Sequence, residues 1–327
     1  MATTQVYYAT NRRHHGADRW HPTGYGQESS KDGTENLRFG RVTIRYDQAR
    51  AARWLEEGCG FGAGNGEKPA KYFLARRSDA TIEAFPEDIR KDENETTRPQ
   101  AKLGSARPFS ELHRRMDGDH VLIFVHGFNV SWWEAVASVA SLQSMLNRHC
   151  TADRASYESA PVHVVLFTWP SDGLAIPYWS YLKRALEFSV GGRLPRIFEQ
   201  IFLCAADLAS DVFQPAEPFH HLPQMARAVT IYHNRSDLAM PVSDYTKGNT
   251  DRLGWDGAEW PAYLPNRVHQ VDCSRLVSGL VEHSYYHCGA VNDDIRQSID
   301  GIPNDSRNRS REPVRHGWQN VWRLVDE

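Results

Sequence analysis

The stretch Val121-Leu-Ile-Phe-Val-His-Gly-Phe-Asn129 decides the fold class of this chain of 327 residues. Its first five residues are all apolar, as expected of a strand that is buried on both faces of a sheet. The His-Gly pair then ends the strand in a turn. Ser131, with Glu134 three residues later, predicts a capping box at the start of a helix over 132–147. The stretch therefore predicts one strand–turn–helix step of an α/β fold.

The alternation of strand and helix continues beyond this stretch. Further apolar runs predict strands over 162–168, 200–207, 228–233 and 268–273, with helices near 178–188 and over 285–299. We therefore expect an α/β fold with a mostly parallel sheet flanked by helices.

The chain is predicted to have three parts. Residues 1–108 are expected to be N-terminal strands and loops packed on the core, including a hairpin formed by 72–76 and 81–85. Residues 109–301 form the α/β core. Residues 302–327 are polar and rich in arginine, which predicts a loosely docked C-terminal tail.

The composition argues against several functions. The net charge of −3 and the absence of an evident basic face argue against nucleic-acid binding. No apolar run approaches the roughly 20 residues needed to span a bilayer, and no signal peptide precedes the first strand. The 5 cysteines are dispersed and lack metal-site spacing, which indicates free thiols in a reducing compartment. We therefore predict a cytoplasmic protein with no transmembrane segment, no metal and no organic cofactor.

Several short motifs are spread over nearly the whole chain. They are Tyr8-Ala-Thr-Asn-Arg12, Leu37-Arg-Phe-Gly-Arg41, Phe124-Val-His-Gly-Phe-Asn129, Phe167-Thr-Trp-Pro-Ser-Asp-Gly173, Ala205-Ala-Asp207, Asn234-Arg-Ser-Asp237 and Gly279-Leu-Val-Glu-His283. Through these motifs the chain resembles a bacterial family of α/β-hydrolases of unknown function, related to serine esterases and lipases. The resemblance implies a serine-hydrolase fold and a small-molecule ester or amide as substrate. Serine-triad chemistry needs no cofactor.

The order of residues indicates two members of a catalytic triad. In α/β-hydrolases the nucleophile, the acid and the histidine follow one another along the chain. Asp237 follows the strand over 228–233 and is the candidate acid, while His283 precedes the closing helix and is the candidate base. His287 is a weaker competitor for the base. A carboxylate would orient the imidazole, which would then accept the proton of a serine hydroxyl.

The loop after the first core strand is the candidate oxyanion loop. Backbone N–H groups in such a loop stabilise the negative charge that develops on the substrate oxygen. We expect the N–H of Phe128 to be the donor, and Gly127 to leave room for the substrate because it has no Cβ. The loop residues are His126, Gly127, Phe128 and Asn129. His126 alternatively has only a structural role and orders this loop.

The nucleophile is missing from this pattern. Relatives place a strand, a His-Ser-Met-Gly-type elbow and a helix between the Trp-Pro-Ser and Ala-Ala-Asp motifs. Here only about 30 residues separate Trp169 from Ile201, which is room for one crossover helix. We therefore expect the central nucleophile-bearing strand to be deleted, with the join near 182–189. Because unmatched buried backbone groups cost about 1–3 kcal/mol each, the strands at Val121 and Ile201 are predicted to pair directly.

No other residue is a good replacement for the serine. Ser189 has Gly191 two residues later, but Glu187 precedes it and the local pattern is helical rather than an elbow. Ser171 follows a strand but has a turn role in relatives, and Cys204 is expected to be buried and inert inside a strand.

Three hypotheses for the function follow. The chain is a catalytically impaired α/β-hydrolase, an active ester or amide hydrolase that uses Ser189, or a binding scaffold whose contact surface is the aromatic stretch 177–181. A misassembled reading frame would produce the same pattern as a true deletion.

Overall fold

The computed structural model of the chain describes residues 1–30, 37–55, 64–86, 106–115, 118–127, 129–148, 160–170, 194–237, 251–277, 284–307, 311–314 and 320–325. The chain forms two compact units. Unit 1 consists of Met1–Glu57 with Asn65–Ala175, and unit 2 consists of Gly58–Gly64 with Ile176–Glu327. The predicted division at residues 108 and 301 remains a prediction.

Unit 1 is built around a five-stranded mixed sheet. Its described elements are β1 (Ala2–Thr10), β2 (Arg12–Gly16), β3 (Pro22–Ser29), β4 (Arg38–Tyr46), α1 (Gln48–Leu55), α2 (Glu67–Ala75), β5 (Thr81–Ala84), α3 (Ala106–Arg115), β6 (His120–Val125), α4 (Trp132–Leu146) and β7 (Val162–Thr168). The strand order is β5-β4-β1-β7-β6, and β2 pairs with β3 separately. Strands β1, β7 and β6 are parallel, whereas β4 and β5 are antiparallel to their neighbours.

Helix α4 begins at the predicted capping box. Ser131 N–H donates to the Glu134 carboxylate over 2.8 Å, and Glu134 N–H donates to Ser131 Oγ over 3.4 Å. These bonds satisfy two of the N–H groups that a helix start leaves without partners. At the first turn, the buried Trp132 packs edge-on against Tyr8 of β1, with ring centroids 4.8 Å apart. The predicted strand–turn–helix step is therefore confirmed.

The predicted hairpin of 72–76 with 81–85 is wrong. Residues 72–75 lie in α2, and β5 pairs with β4 instead. A five-residue apolar run fits a strand and one helical turn equally well, and tertiary packing decides between them. Here α2 packs on α4, where Ser141 Oγ donates to the carbonyl of Gly66 over 2.5 Å. Gly40 permits the β4–β5 pairing, because a Cβ there would lie 2.3 Å from Glu83 O.

Unit 2 contains a second five-stranded sheet. Its described elements are β8 (Phe198–Cys204), β9 (Ala226–His233), α5 (Leu253–Asp256), β10 (Val268–Asp272), α6 (Gly289–Ile299), β11 (Arg311–Pro313) and β12 (Val321–Leu324). The order is β11-β12-β10-β9-β8, with only β11 antiparallel. The apolar core on this sheet includes Val212, Phe213, Val229, Ile231, Leu253 and Val268. Together the two sheets confirm the α/β class.

The C-terminal residues are not loosely docked. Strands β11 and β12 belong to the second sheet, and β12 pairs in parallel with β10. The Arg311 side chain is fully buried and binds Asp294 of α6 through two of its nitrogens. Burying a charged side chain costs free energy, so such a side chain is found buried only when a partner neutralises its charge. The expectation of a loose tail is therefore wrong for residues 311–314 and 320–325.

The pairing of the strands at Val121 and Ile201 remains a prediction. Strand β6, which contains Val121, is the last strand of the sheet in unit 1, and β8, which contains Ile201, is the last strand of the sheet in unit 2. The expectation that the strand at Val121 is buried on both faces is wrong, since Val121, Ile123 and Val125 are 36%, 53% and 49% exposed.

Candidate active site

The predicted site residues lie in both units of the chain. His126, Gly127 and Asn129 belong to unit 1, whereas Asp237 belongs to unit 2. Three others lie outside the described residues, together with the aromatic stretch 177–181: Phe128, Ser189 and His283.

His126 follows β6 directly and is the centre of a buried polar network. Its Nδ1 lies 2.7 Å from the carbonyl oxygen of Gly127, which can only accept a hydrogen bond. Its Nε2 lies 2.9 Å from Thr168 Oγ1 and 3.3 Å from the backbone N–H of Trp169, which can only donate. These partners place the proton on Nδ1 and make Nε2 an acceptor.

Arg12 ties this network to the neighbouring strands. Its side chain is almost fully buried. Its Nη2 donates to Val130 O over 2.6 Å and lies 3.2 Å from His126 Nε2, while its Nε donates to Thr168 Oγ1 over 2.8 Å. Nothing in the local pattern predicted a role for Arg12, although it ends the Tyr8–Arg12 motif. The motif is explained by this guanidinium, which joins β2 to the loop after β6.

The electrostatic environment keeps His126 uncharged. Burial lowers the pKa of His126 to about 4, and the charge of Arg12 acts in the same direction, while the hydrogen bond to the Gly127 carbonyl opposes both. The imidazole also stacks on the Trp169 ring, with an interplanar angle of 3°. A neutral imidazole whose Nε2 already accepts hydrogen bonds is poorly suited to act as a base. The geometry therefore gives His126 the structural role of ordering the loop.

The turn after His126 is sharp and open. Asn129 has φ of 54°, in the left-handed region, which asparagine tolerates better than most residues. A Cβ added to Gly127 would meet no atom within 4 Å. The described part of the loop thus leaves free space at Gly127, as an approaching substrate would need.

Asp237 lies in the core of unit 2, just after β9. Both Asp237 and Tyr285 are completely buried, and Tyr285 Oη donates to Asp237 Oδ2 over 3.0 Å. The same hydroxyl lies 3.3 Å from Gly254 O. Burial, followed by the nearby Asp237, raises the pKa of Tyr285 far above its ordinary value, so the hydroxyl keeps its proton and remains a donor.

The buried Asn234 sets the turn that presents Asp237. Its Oδ1 accepts from the N–H of Ser236 over 2.9 Å, and its carbonyl accepts from the N–H of Asp237 over 3.2 Å. Its own N–H donates to Gly254 O over 2.9 Å. Asparagine favours turns because its side chain can replace such backbone partners. The Asn234–Asp237 motif is thus a tight turn that fixes the acid at the end of β9.

The Ala205–Asp207 motif packs against the same segment. Ala205 has φ of 50°, and a Cβ on Gly254 would lie 2.7 Å from the Ala205 carbonyl carbon. Only glycine at 254 allows this approach. Asp207 Oδ1 lies 3.5 Å from Nε of the buried Arg252, so the motif forms an ion pair beside the turn that holds Asp237.

No helix within the described ranges combines the length and apolarity needed to cross a membrane. Within the same ranges, no three His, Cys, Asp or Glu side chains lie close enough to share a metal ion.

Cys204 is half-buried rather than fully buried, yet desolvation raises its pKa to about 12. Its thiol is therefore protonated and unreactive at neutral pH.

Comparison with family models assigns the chain to a protein family. The family model described as an alpha/beta hydrolase of unknown function (DUF900) matches residues 105–190 and 183–290, which together cover more than half of the chain. The chain belongs to this α/β-hydrolase family. Neither the curated proteins nor the solved structures gave a match. The family resemblance is thereby confirmed, whereas a bacterial origin remains a prediction.

Within this α/β-hydrolase, Tyr285, like Arg12, was not predicted from the sequence. It lies two positions after His283, and nothing in its local pattern distinguished it from a core tyrosine. Its neighbour His287, the weaker candidate base, is buried and packs against the Tyr286 ring with centroids 4.5 Å apart. Asp237, His283 and His287 remain predictions as catalytic residues.

Removing the Tyr285 hydroxyl is expected to destabilise unit 2. Tyr285→Phe leaves a buried carboxyl oxygen without this donor, which costs about 1–3 kcal/mol. Urea unfolding followed by circular dichroism measures the loss. Tyr263→Phe is the control, since Tyr263 is 83% exposed and its change should stay within about 0.5 kcal/mol. Equal losses in the two variants would show that the bond to Asp237 contributes nothing.

Proposed function

We propose that this α/β-hydrolase is a catalytically impaired relative of the serine esterases and lipases. It keeps the candidate acid Asp237 and the candidate base His283, and it lacks a nucleophilic serine on a strand–turn–helix elbow. Its ancestral substrates are small-molecule esters or amides, and no cofactor takes part.

The interval between two strands carries this proposal. Strand β7 ends at Thr168 and β8 begins at Phe198. These bounds leave about 30 residues, which suits one crossover connection but not an additional strand with its own helix. Both flanking strands match the predicted positions of the family motifs, so the shortage of residues falls where the elbow would be.

The way in which the family model matches supports the same proposal. The match comes in two segments, and they overlap at residues 183–190. A continuous relative would be expected to match in one segment. The overlap coincides with the predicted join at 182–189, which is where a deletion between the Trp-Pro-Ser and Ala-Ala-Asp motifs would bring the flanks together.

The structural role of His126 is also consistent with this proposal. The oxyanion loop keeps its buried network of His126, Arg12 and Thr168, which needs no nucleophile. Likewise, the carboxyl of Asp237 is held by Tyr285. The chain has therefore kept the parts that stabilise the fold of each unit, whatever its reactivity.

A fluorophosphonate probe tests the proposal directly. This reagent forms a covalent bond with an activated serine, so the impaired chain is expected to gain no mass on exposure to it. Intact-mass spectrometry of the folded protein gives the readout, with an active serine esterase as positive control. Hydrolysis of a short-chain aryl ester by the same sample should stay at the rate in buffer.

The active-hydrolase hypothesis makes the opposite prediction. If Ser189 attacks substrates, one adduct forms, and both Ser189→Ala and Asp237→Asn abolish it. Ser171→Ala is the matched control, since this serine lies in the Trp-Pro-Ser motif. Labelling that depends on Ser189 and Asp237 but not on Ser171 would overturn the proposed impairment.

We also propose that the protein works in the cytoplasm. The described cysteines, Cys204, Cys273 and Cys288, are free thiols. Free thiols are typical of reducing compartments, where disulfides do not persist.

A further inference from the structure

The C-terminal part of unit 2 is held by hydrogen bonds that meet at the side chain of Asn304. Its Oδ1 accepts from Arg311 Nη1 over 2.6 Å, and its Nδ2 lies 3.0 Å from Nε2 of His269 on β10. Arg311 in turn binds the buried Asp294 of α6. One amide therefore connects a histidine in the middle strand of the sheet to the arginine that docks β11.

The chemistry of the partners fixes the orientation of this amide. Arginine can only donate hydrogen bonds, so the amide oxygen of Asn304 must face Arg311. The NH₂ group of the amide then faces His269 and donates to Nε2, which must be the unprotonated nitrogen of a neutral imidazole. Docked β11 therefore selects the neutral form of His269, with its proton on Nδ1.

The protonated form of His269 does not fit this arrangement. With a proton on each ring nitrogen, Nε2 becomes a donor that faces the NH₂ group of Asn304. Rotating the amide by half a turn would satisfy the imidazolium, but it would direct the NH₂ group towards Arg311, which is also a donor. A single amide oxygen cannot serve both cations, so protonation costs one hydrogen bond at the site that docks β11.

The charged groups around His269 favour its neutral form as a set. Arg311 of β11 and Arg307, which follows the 3₁₀ turn Asn304–Ser306, both repel a positive charge on the imidazole, whereas Asp294 of α6 attracts it. Burial is the largest cause, and together these effects lower the pKa of His269 to about 4. The same face of the neighbouring strands carries two uncharged residues, Thr230 of β9 and Trp322 of β12.

We propose that His269, Asn304 and Arg311 form an acid-sensitive switch, in which a proton on His269 Nε2 breaks the connection through Asn304 and releases β11 from the sheet of unit 2. Strand β11 has three residues and is the last strand of that sheet. So short a strand forms few backbone bonds, and such elements open locally at a lower free energy than the core. When β11 leaves, Asp294 keeps its hydrogen bond from Tyr232 Oη.

The direction of the pH dependence follows from the two states of His269. In the released state water reaches the imidazole, which then has its ordinary pKa of 6.5, whereas in the docked state the pKa is about 4. The released state therefore binds the proton that the docked state excludes, and β11 is held most firmly above pH 6.5. Between pH 7.5 and 4.5 the equilibrium constant for release is expected to rise about 50-fold.

The inference goes beyond the proposed function and does not depend on it. The switch lies among buried residues of unit 2, whether or not a serine elsewhere in the chain reacts. A serine adduct with the fluorophosphonate probe would overturn the impairment and leave the switch intact. A strand β11 that stays docked in acid would overturn the switch and leave the impairment intact.

Nuclear magnetic resonance of the full chain tests the switch without any substitution. The N–H of Val314 donates to Val321 O over 3.1 Å, so its hydrogen exchange reports on the end of β11. This exchange, divided by the intrinsic rate at each pH, should accelerate about 50-fold from pH 7.5 to 4.5. The fully buried Val229 of β9 is the internal reference and should exchange more slowly at both pH values. If His269 titrated near pH 6.5 while Val314 kept its protection, the proposal would be wrong.

Two substitutions separate the switch from a general effect of acid. His269→Gln offers an amide oxygen to Asn304 and does not titrate, so exchange of Val314 should differ by less than about threefold between the two pH values. Asn304→Asp provides an oxygen for each cation, so it should raise the pKa of His269 and keep β11 docked at pH 4.5.

A matched control removes a carboxyl group from the same strand. Glu312 is 47% exposed and lies 3.6 Å from Arg323, so Glu312→Gln should leave the acceleration of Val314 exchange in place. Equal acceleration in His269→Gln and in the unsubstituted chain would overturn the proposal.

Discussion

Replacing Asp294 with alanine is expected to lower the free energy of unfolding by about 3–5 kcal/mol, the cost of breaking a buried ion pair from one side. Asp294 is fully buried in α6. It accepts hydrogen bonds from Arg311 of β11 and from Tyr232 Oη of β9, with 2.6 Å between Arg311 Nε and Asp294 Oδ1. In Asp294→Ala the Arg311 guanidinium stays buried and loses this negative charge.

The size of the effect depends on a second cation. Arg307 Nη1 lies 3.8 Å from Asp294 Oδ1, so this carboxylate serves two arginines. Burial lowers the pKa of Arg307, and the neighbouring positive charge of Arg311 lowers it further. Without Asp294 the two guanidinium groups would repel each other in a region of low dielectric. The loss should therefore lie in the upper part of the range.

A matched control separates the buried pair from the charge of β11 in general. Glu312 follows Arg311, is 47% exposed and lies 3.6 Å from Arg323. Exposed pairs of this kind contribute about 0–1 kcal/mol, so Glu312→Ala should change little. Urea unfolding monitored by tryptophan fluorescence and far-ultraviolet circular dichroism measures both variants. A loss below about 1 kcal/mol in Asp294→Ala would contradict the importance of the pair.

The same ion pair shows why the fold was only partly predictable from the sequence. Strands β6 to β10 could be located because their apolar runs are bounded by turn residues. The tail could not be interpreted in this way, because residues 302–327 are mostly polar. The packing of α6 against β9 determines which of several arginines reaches the buried carboxylate. Local composition carries no information about that contact.

The candidate site was predictable to a similar extent. Asp237 was proposed as the acid from the order of the triad along the chain and from its position after β9, and this role remains a prediction. The hydrogen bond from Tyr285 spans 48 residues and could not be read from either segment alone. His126 was predicted to belong to the oxyanion loop, with an ordering role as the alternative, because its position after β6 fits both. The contact of its Nε2 with Arg12, 114 residues earlier in the chain, favours the ordering role and could not be read from the local sequence.

Acid is expected to destabilise unit 1 through His126. The pKa of this histidine is about 4 in the folded protein, against an ordinary value of 6.5, and burial is the main cause. Between these values the unfolded chain binds a proton that the folded chain excludes, so stability falls as the pH falls. The contribution is complete above pH 6.5 and is lost towards pH 4. From pH 7.5 to 4.5 the loss amounts to about 2–3 kcal/mol.

His126→Gln tests this dependence because glutamine can accept a hydrogen bond but does not titrate. The variant is expected to be less stable at pH 7.5. On acidification to pH 4.5 it should lose about 2–3 kcal/mol less stability than the unsubstituted chain loses. Ser141→Ala, in the same unit, removes a buried hydrogen bond without removing a titrating group. Ser141→Ala should lower the free energy of unfolding by the same amount at pH 7.5 and at pH 4.5.

The comparison between variants matters because His126 is not the only buried histidine. Burial also lowers the pKa of His269 in unit 2 to about 4, aided by Arg311 and Arg307. The unsubstituted chain therefore loses stability in acid from both units, and only the difference caused by His126→Gln reports on the loop after β6. If the two chains lost the same free energy between pH 7.5 and 4.5, His126 would have to be protonated in the folded state. Its Nε2 would then be a donor facing Arg12, and the network that orders the loop would have to be rearranged.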